Sequence, residues 1–101
     1  NNRLDGSLIE LLLGLSRAQV AVSEYRDAVV SYQRYLHVQQ VNEGLHTLQQ
    51  AAAISELSEV YFVMGNQQRA NALQQSYVSI YQQNFPYVRF TKGLSAIGRQ
   101  N

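Results

Sequence analysis

The sequence predicts an all-α chain: a right-handed α-solenoid of antiparallel helical hairpins that repeat every 42 residues. Three observations carry this reading. First, the chain has a single proline, Pro86, and between its scattered glycines it is rich in Ala, Leu, Gln, Arg and Glu, the residues that lose least on entering a helix. Second, apolar side chains recur three and four apart, as in Ile54, Leu57, Tyr61 and Met64 and again in Ala70, Leu73, Tyr77 and Ile80, and no window alternates as a strand would. Third, GLSRAQVAVSEYRDAVVSYQRYL (14–36) overlays ELSEVYFVMGNQQRANALQQSYV (56–78) without a gap. Leu15 falls on Leu57, Ser16 on Ser58, Ala28 on Ala70 and Tyr35 on Tyr77.

Each element has a local reason. Ser7 and Glu10 form an S-x-x-E capping box, which predicts a first helix from Ser7 to about Val22. Ser23-Glu24 reads as a tight turn, and a second helix follows over about 25–40. Asn42-Glu43-Gly44 is the next break, since Gly44 is free to take positive φ. A third helix is expected over about 45–64, stopped by Gly65-Asn66, and a fourth over about 67–84, stopped by Phe85-Pro86. Thr91 can cap a short last helix through Ile97. The expected organisation is one domain over 1–101, with repeat one at about 7–40, repeat two at about 45–84 and a cap at 87–101. With no initiator methionine, the chain is expected to be a piece of a longer protein.

The recurring residues suit a helical hairpin. Ser16 and Ser58 are small where two helices must approach, Ala28 and Ala70 are small just past the turn, and Tyr35 and Tyr77 are large where the hairpin splays. A period of this length marks stacked supersecondary units. This order resembles the tetratricopeptide repeat (TPR). The best stretch is ELSEVYFVMGNQQRANAL, where Leu57, Ser58, Tyr61, the Gly65-Asn66 turn and Ala70 match the family's pattern. The likeness covers about 7–84, with departures. The usual spacing is shorter, alanine usually stands where Tyr35 and Tyr77 are, and only Pro86 answers the proline expected after each second helix. HEAT and armadillo units have periods nearer 42 but lack the Leu-Ser…Tyr…Gly-Asn…Ala run. A plain helical bundle is the remaining alternative.

Composition narrows the function. Of the 101 residues 46% are hydrophobic and 15% charged, which excludes a disordered tail. No apolar run, Leu11 to Leu13 among them, comes near the length needed to cross a bilayer. Without cysteine there is no disulfide and no thiolate metal site. The net charge of +1 hides an asymmetry: residues 1–59 carry four arginines against seven acids, whereas 60–101 carry Arg69, Arg89, Lys92 and Arg99 and no acid. These four cations are scattered, so a nucleic-acid surface is disfavoured; such a binder would lose affinity steeply with salt.

Catalytic and metal chemistry find little support. His37 and His46, even with Glu43, match no ligand spacing, so no metal or other cofactor is expected. Ser16 and Ser58 have no nearby histidine and sit at packing positions. Glu56 and Glu59 are three apart on one helix and read as a solvated or groove-facing pair. The chain is therefore expected not to be an enzyme. Tyr32 and Tyr35 read as core, with Arg26, Gln33 and Arg34 pointing outward.

What the TPR resemblance implies is binding. In such solenoids the first helices line a concave groove that takes a peptide. Carried over by position, the groove faces are Leu13, Arg17 and Val20 from the first unit and Ser55, Glu59 and Phe62 from the second. The lysine and asparagine clamp that some relatives use for a C-terminal carboxylate has no counterpart before Lys92. The expected function is a cytoplasmic protein–protein interaction scaffold or adaptor, the periplasm being the other compartment left open. The alternative is the peptide- or partner-sensing region of a bacterial signalling or transcription protein. The first helix is apolar nearly all round, from Leu8 to Leu15, and needs cover on more than one side. A preceding repeat or self-association is expected there, with Ile9 and Leu12 near the contact.

Overall fold

Backbone chemistry divides the chain into four α-helices. The computed structural model describes residues 6–44 and 47–86: α1 (Gly6–Ala21), α2 (Tyr25–Glu43), α3 (Leu48–Val63) and α4 (Gln67–Asn84). No strand occurs among the described residues. The expected last helix at 91–97 lies outside them.

The ends of these helices have identifiable causes. α4 starts at Gln67 because the Asn66 side chain accepts the Arg69 backbone N–H at 3.2 Å. α3 starts three residues later than expected, since Thr47 is its cap and accepts the Gln50 N–H at 3.3 Å. α2 runs on to Glu43 and ends at Gly44, whose φ of +86° suits glycine. α1 corrects the capping-box reading: it already includes Gly6, so Ser7 lies inside the helix.

The two tight turns share one set of backbone bonds. After α1, the Ser23 N–H donates to Val20 O at 2.9 Å and the Glu24 N–H to Gln19 O at 2.8 Å. After α3, 42 residues on, the Gly65 N–H donates to Phe62 O at 3.0 Å and the Asn66 N–H to Tyr61 O at 2.8 Å. Such crossed bonds close a helix through one left-handed residue. Here those residues are Ser23 at φ +64° and Gly65 at φ +86°.

Packing joins helices that are neighbours in the chain: α1 with α2, α2 with α3, α3 with α4. The molecule measures 52 × 34 × 19 Å, so its thin dimension holds about two helix layers. One core cluster contains Leu12, Ala28, Tyr32, Tyr35, Leu57, Val60, Tyr61 and Ala70; a smaller one joins Ala51, Ile54 and Ile80 to Tyr77 and Tyr81. The small residues close the hairpins. Ala28 and Ser16 are wholly buried, and Ser58 donates its hydroxyl to Ala70 O on α4 at 2.8 Å. Ser16 instead bonds back to Leu12 O of its own helix, also at 2.8 Å.

The phase of α1 corrects the contact expected at Leu12. Leu12 is 8% exposed and belongs to the core, and Ile9 is half-buried against it. The leucines left in solvent are Leu8, Leu11 and Leu15, at 37%, 66% and 44% exposure. Ser16, four residues after Leu12, turns inward with it; Leu8, Leu15 and Leu11 step progressively away to one side of Leu12, and Leu11, the furthest round, is the most exposed.

Candidate functional site

The site begins with a charged side chain that reaches from one helix to another. Arg17 of α1 forms a two-pronged pair with Glu56 of α3: Nε donates to Oε1 at 3.0 Å and Nη2 to Oε2 at 2.7 Å. From below, Tyr32 of α2 donates its hydroxyl to Glu56 Oε1 at 2.7 Å. Three helices therefore meet at one carboxylate. The Arg17 hydrogen bonds hold the Glu56 carboxyl below the usual carboxylate range; burial pulls the other way and loses. Burial, reinforced by the hydrogen bond to Glu56, pushes the Tyr32 phenol above its ordinary value, so it stays a donor.

Around this bridge α1 and α3 form the walls of a groove and α2 its floor. The bridge bounds a cavity of about 330 Å³ whose lining includes Arg17, Val20, Tyr25, Glu59, Val60 and Val63. A second cavity, of about 320 Å³, lies toward the start of α1, where Leu13 and Glu10 face Tyr35, Gln39 and Glu43 of α2 and Gln49 of α3. The first is largely apolar between its charges; the second is ringed by polar groups.

Of the residues expected to line the groove, Arg17, Val20 and Glu59 share the first cavity and Leu13 lines the second. Ser55 and Phe62 line neither; Ser55 is half-buried and Phe62 is 63% exposed. The miss has a geometric cause. The sequence correspondence makes positions on α1 and α3 equivalent, but the side of α3 that lines the cavity with α1 is centred on other positions. The flank of α3 turned toward α1 carries Glu56, Val60 and Val63. Of the α3 positions equivalent to Leu13, Arg17 and Val20, only Glu59 lines the cavity; Ser55 and Phe62 lie further round the helix. Tyr25, Tyr32, Val60 and Val63 therefore go beyond the sequence reading of the site, and Glu56, read there as solvated or groove-facing, faces the groove. The signal for Glu56 was its placement one turn before Glu59, but its partner on α1 could be found only once the flanks were known.

Other chemistry is sparse. The Ser16 and Ser58 hydroxyls are both engaged with backbone carbonyls. Among the described residues, no three His, Asp or Glu side chains gather as metal ligands, and His46 lies outside those residues. No described helix is long and apolar enough to cross a membrane. In comparisons with protein-family models, curated proteins and solved structures, the chain matches none.

Proposed function

We propose that this chain is a non-catalytic interaction module, a TPR-like α-solenoid that binds a peptide or protein segment in the groove between α1 and α3. The observation that carries the reading is the pair of open cavities flanking the Arg17–Glu56 bridge, each about the size that a few side chains fill. The solenoid part is supported by packing that runs mainly between chain neighbours and by turn bonds that recur 42 residues apart. A groove with apolar walls and fixed charges suits recognition of side chains along a segment.

The test is to select binders from a random peptide display library and map one by amide chemical shifts. Shifts gathered at Val20, Glu59, Val60 and Val63 are the expected result. Shifts gathered on the outer face of α4 instead, or no selectable binder, would overturn the proposal.

A further inference from the structure

The groove carries more negative charge than it neutralises. Among the described residues Arg17 is the one cation that lines its two cavities, and Glu56 already holds it by both prongs. Glu59 in the first cavity, and Glu10 and Glu43 in the second, have no hydrogen-bond or ion partner among the described residues. Three carboxylates therefore face the groove unopposed by any described residue. A further, independent observation points the same way. Gln39 lines the second cavity at 4% exposure; its Nε2 donates to Tyr35 Oη at 3.2 Å and to Gln49 Oε1 at 3.4 Å, while its Oε1 accepts nothing. A buried acceptor without a donor is uncommon in a finished structure. It fits a site whose donor arrives with the ligand.

We infer that the occupant of the groove is a basic peptide segment, with one arginine or lysine side chain on each side of the Arg17–Glu56 bridge. On one side Val20, Val63 and the Tyr25 ring seat the methylenes of a long cationic side chain, and Glu59 meets its charge. On the other, Glu10 and Glu43 meet the second cation, and Gln39 Oε1 accepts a hydrogen bond from it once the amide turns toward the cavity. The spacing follows from the helix. Leu13 and Val20, which mark the two cavities, are seven residues apart on α1, about 10 Å along its axis. An extended segment covers about 10 Å in three residues, so its two cations stand three or four positions apart.

This inference rests on the groove reading, and the experiment separates the two. Three labelled dodecapeptides are compared by fluorescence anisotropy: one of Ala and Leu with arginine at every third position, and two others with those arginines replaced by glutamine or by glutamate. The arginine peptide is expected to bind, the glutamate peptide not. Glu59→Gln and Glu43→Gln are each expected to weaken the arginine peptide about three- to tenfold, with circular dichroism unchanged, and added salt to weaken it further. If the glutamine peptide binds as tightly as the arginine one and shifts the amides of Val20 and Val63, the basic preference is wrong and the groove stands. If the arginine peptide binds but shifts only amides outside α1 and α3, both fall. Failure of the arginine peptide to bind at low salt overturns the inference.

Discussion

Glu56 is the residue on which most of the site depends, and its ionisation sets a sign. Its folded carboxyl is held below the unfolded value of 4.5, chiefly by Arg17, so the pair's contribution is present above that value and lost as pH falls through the lower, folded one. Arg17→Ala should therefore destabilise the chain at pH 7 and less at pH 3, read as the difference between urea melts. The side chains are 55% and 33% exposed, so solvent screening keeps the neutral-pH loss below about 1 kcal/mol. Tyr32→Phe keeps the buried ring but removes the 2.7 Å hydrogen bond to a charged acceptor, which should cost about 1.5–3 kcal/mol by the same melts. The Tyr32 phenol works in the other direction. Raised in the folded state, its contribution is complete below the ordinary tyrosine value and is lost only as pH climbs through the raised one.

Among the elements, the two turns are the sharpest comparison the chain offers. They make the same crossed bonds, but Ser23 holds φ +64° where Gly65 holds φ +86°. A serine in the left-handed region is strained and a glycine is not. Ser23→Gly should raise stability by up to about 1 kcal/mol and Gly65→Ser lower it by about as much, measured as opposite shifts in denaturant midpoint. The hairpin contact itself is probed by Ala70→Arg, which puts a charge into a site only 4% exposed and should cost about 3 kcal/mol or more. Gln74→Arg, one turn on and exposed, should cost almost nothing. Much of this level was legible. The bounds of α4 could be read because Gly65-Asn66 and Phe85-Pro86 are strong local signals. The start of α3 was not, because Thr47 competes with the adjacent Gly44 for the same break. The Ser7–Glu10 spacing placed the start of α1 within one residue, although Ser7 lies inside the helix rather than capping it.

For the molecule as a whole, the outer face of α1 is the unfinished part. Leu8, Leu11, Leu15 and Val22 form a stripe in solvent, spaced three and four residues apart and then seven. Covering such a stripe is worth several kcal/mol at about 25 cal/mol per Å². The expected outcome is self-association through that stripe, measured by light scattering after size exclusion. Leu11→Glu should yield a folded monomer, whereas Leu12→Glu should unfold the chain because Leu12 is core. Wild-type chain that stays monomeric at the concentrations used for NMR would refute this. The need for cover was visible in the leucines, but the face was not: a helix apolar all round carries no phase of its own. The groove was half legible for a related reason. Arg17, Val20 and Glu59 followed from position, while Glu56 and Val63 depend on which flanks the stacked helices turn to each other.

The packing of each helix on its chain neighbours also governs how the molecule assembles and comes apart. Every hairpin closes over a turn of only a few residues, so little chain entropy is spent before contacts form, and folding should be fast, on the order of milliseconds or less. Opening should proceed by fraying from α1 and α4, with amides of α2 and α3 the last to exchange with deuterium. The Arg17–Glu56 bridge is a tie that skips a helix, from α1 directly to α3. Such a tie acts as a spring against relative motion of α1 and α3, and its stiffness falls as salt screens it. The distance between α1 and α3, and the width of the groove with it, should therefore vary with ionic strength even where the helices themselves do not change.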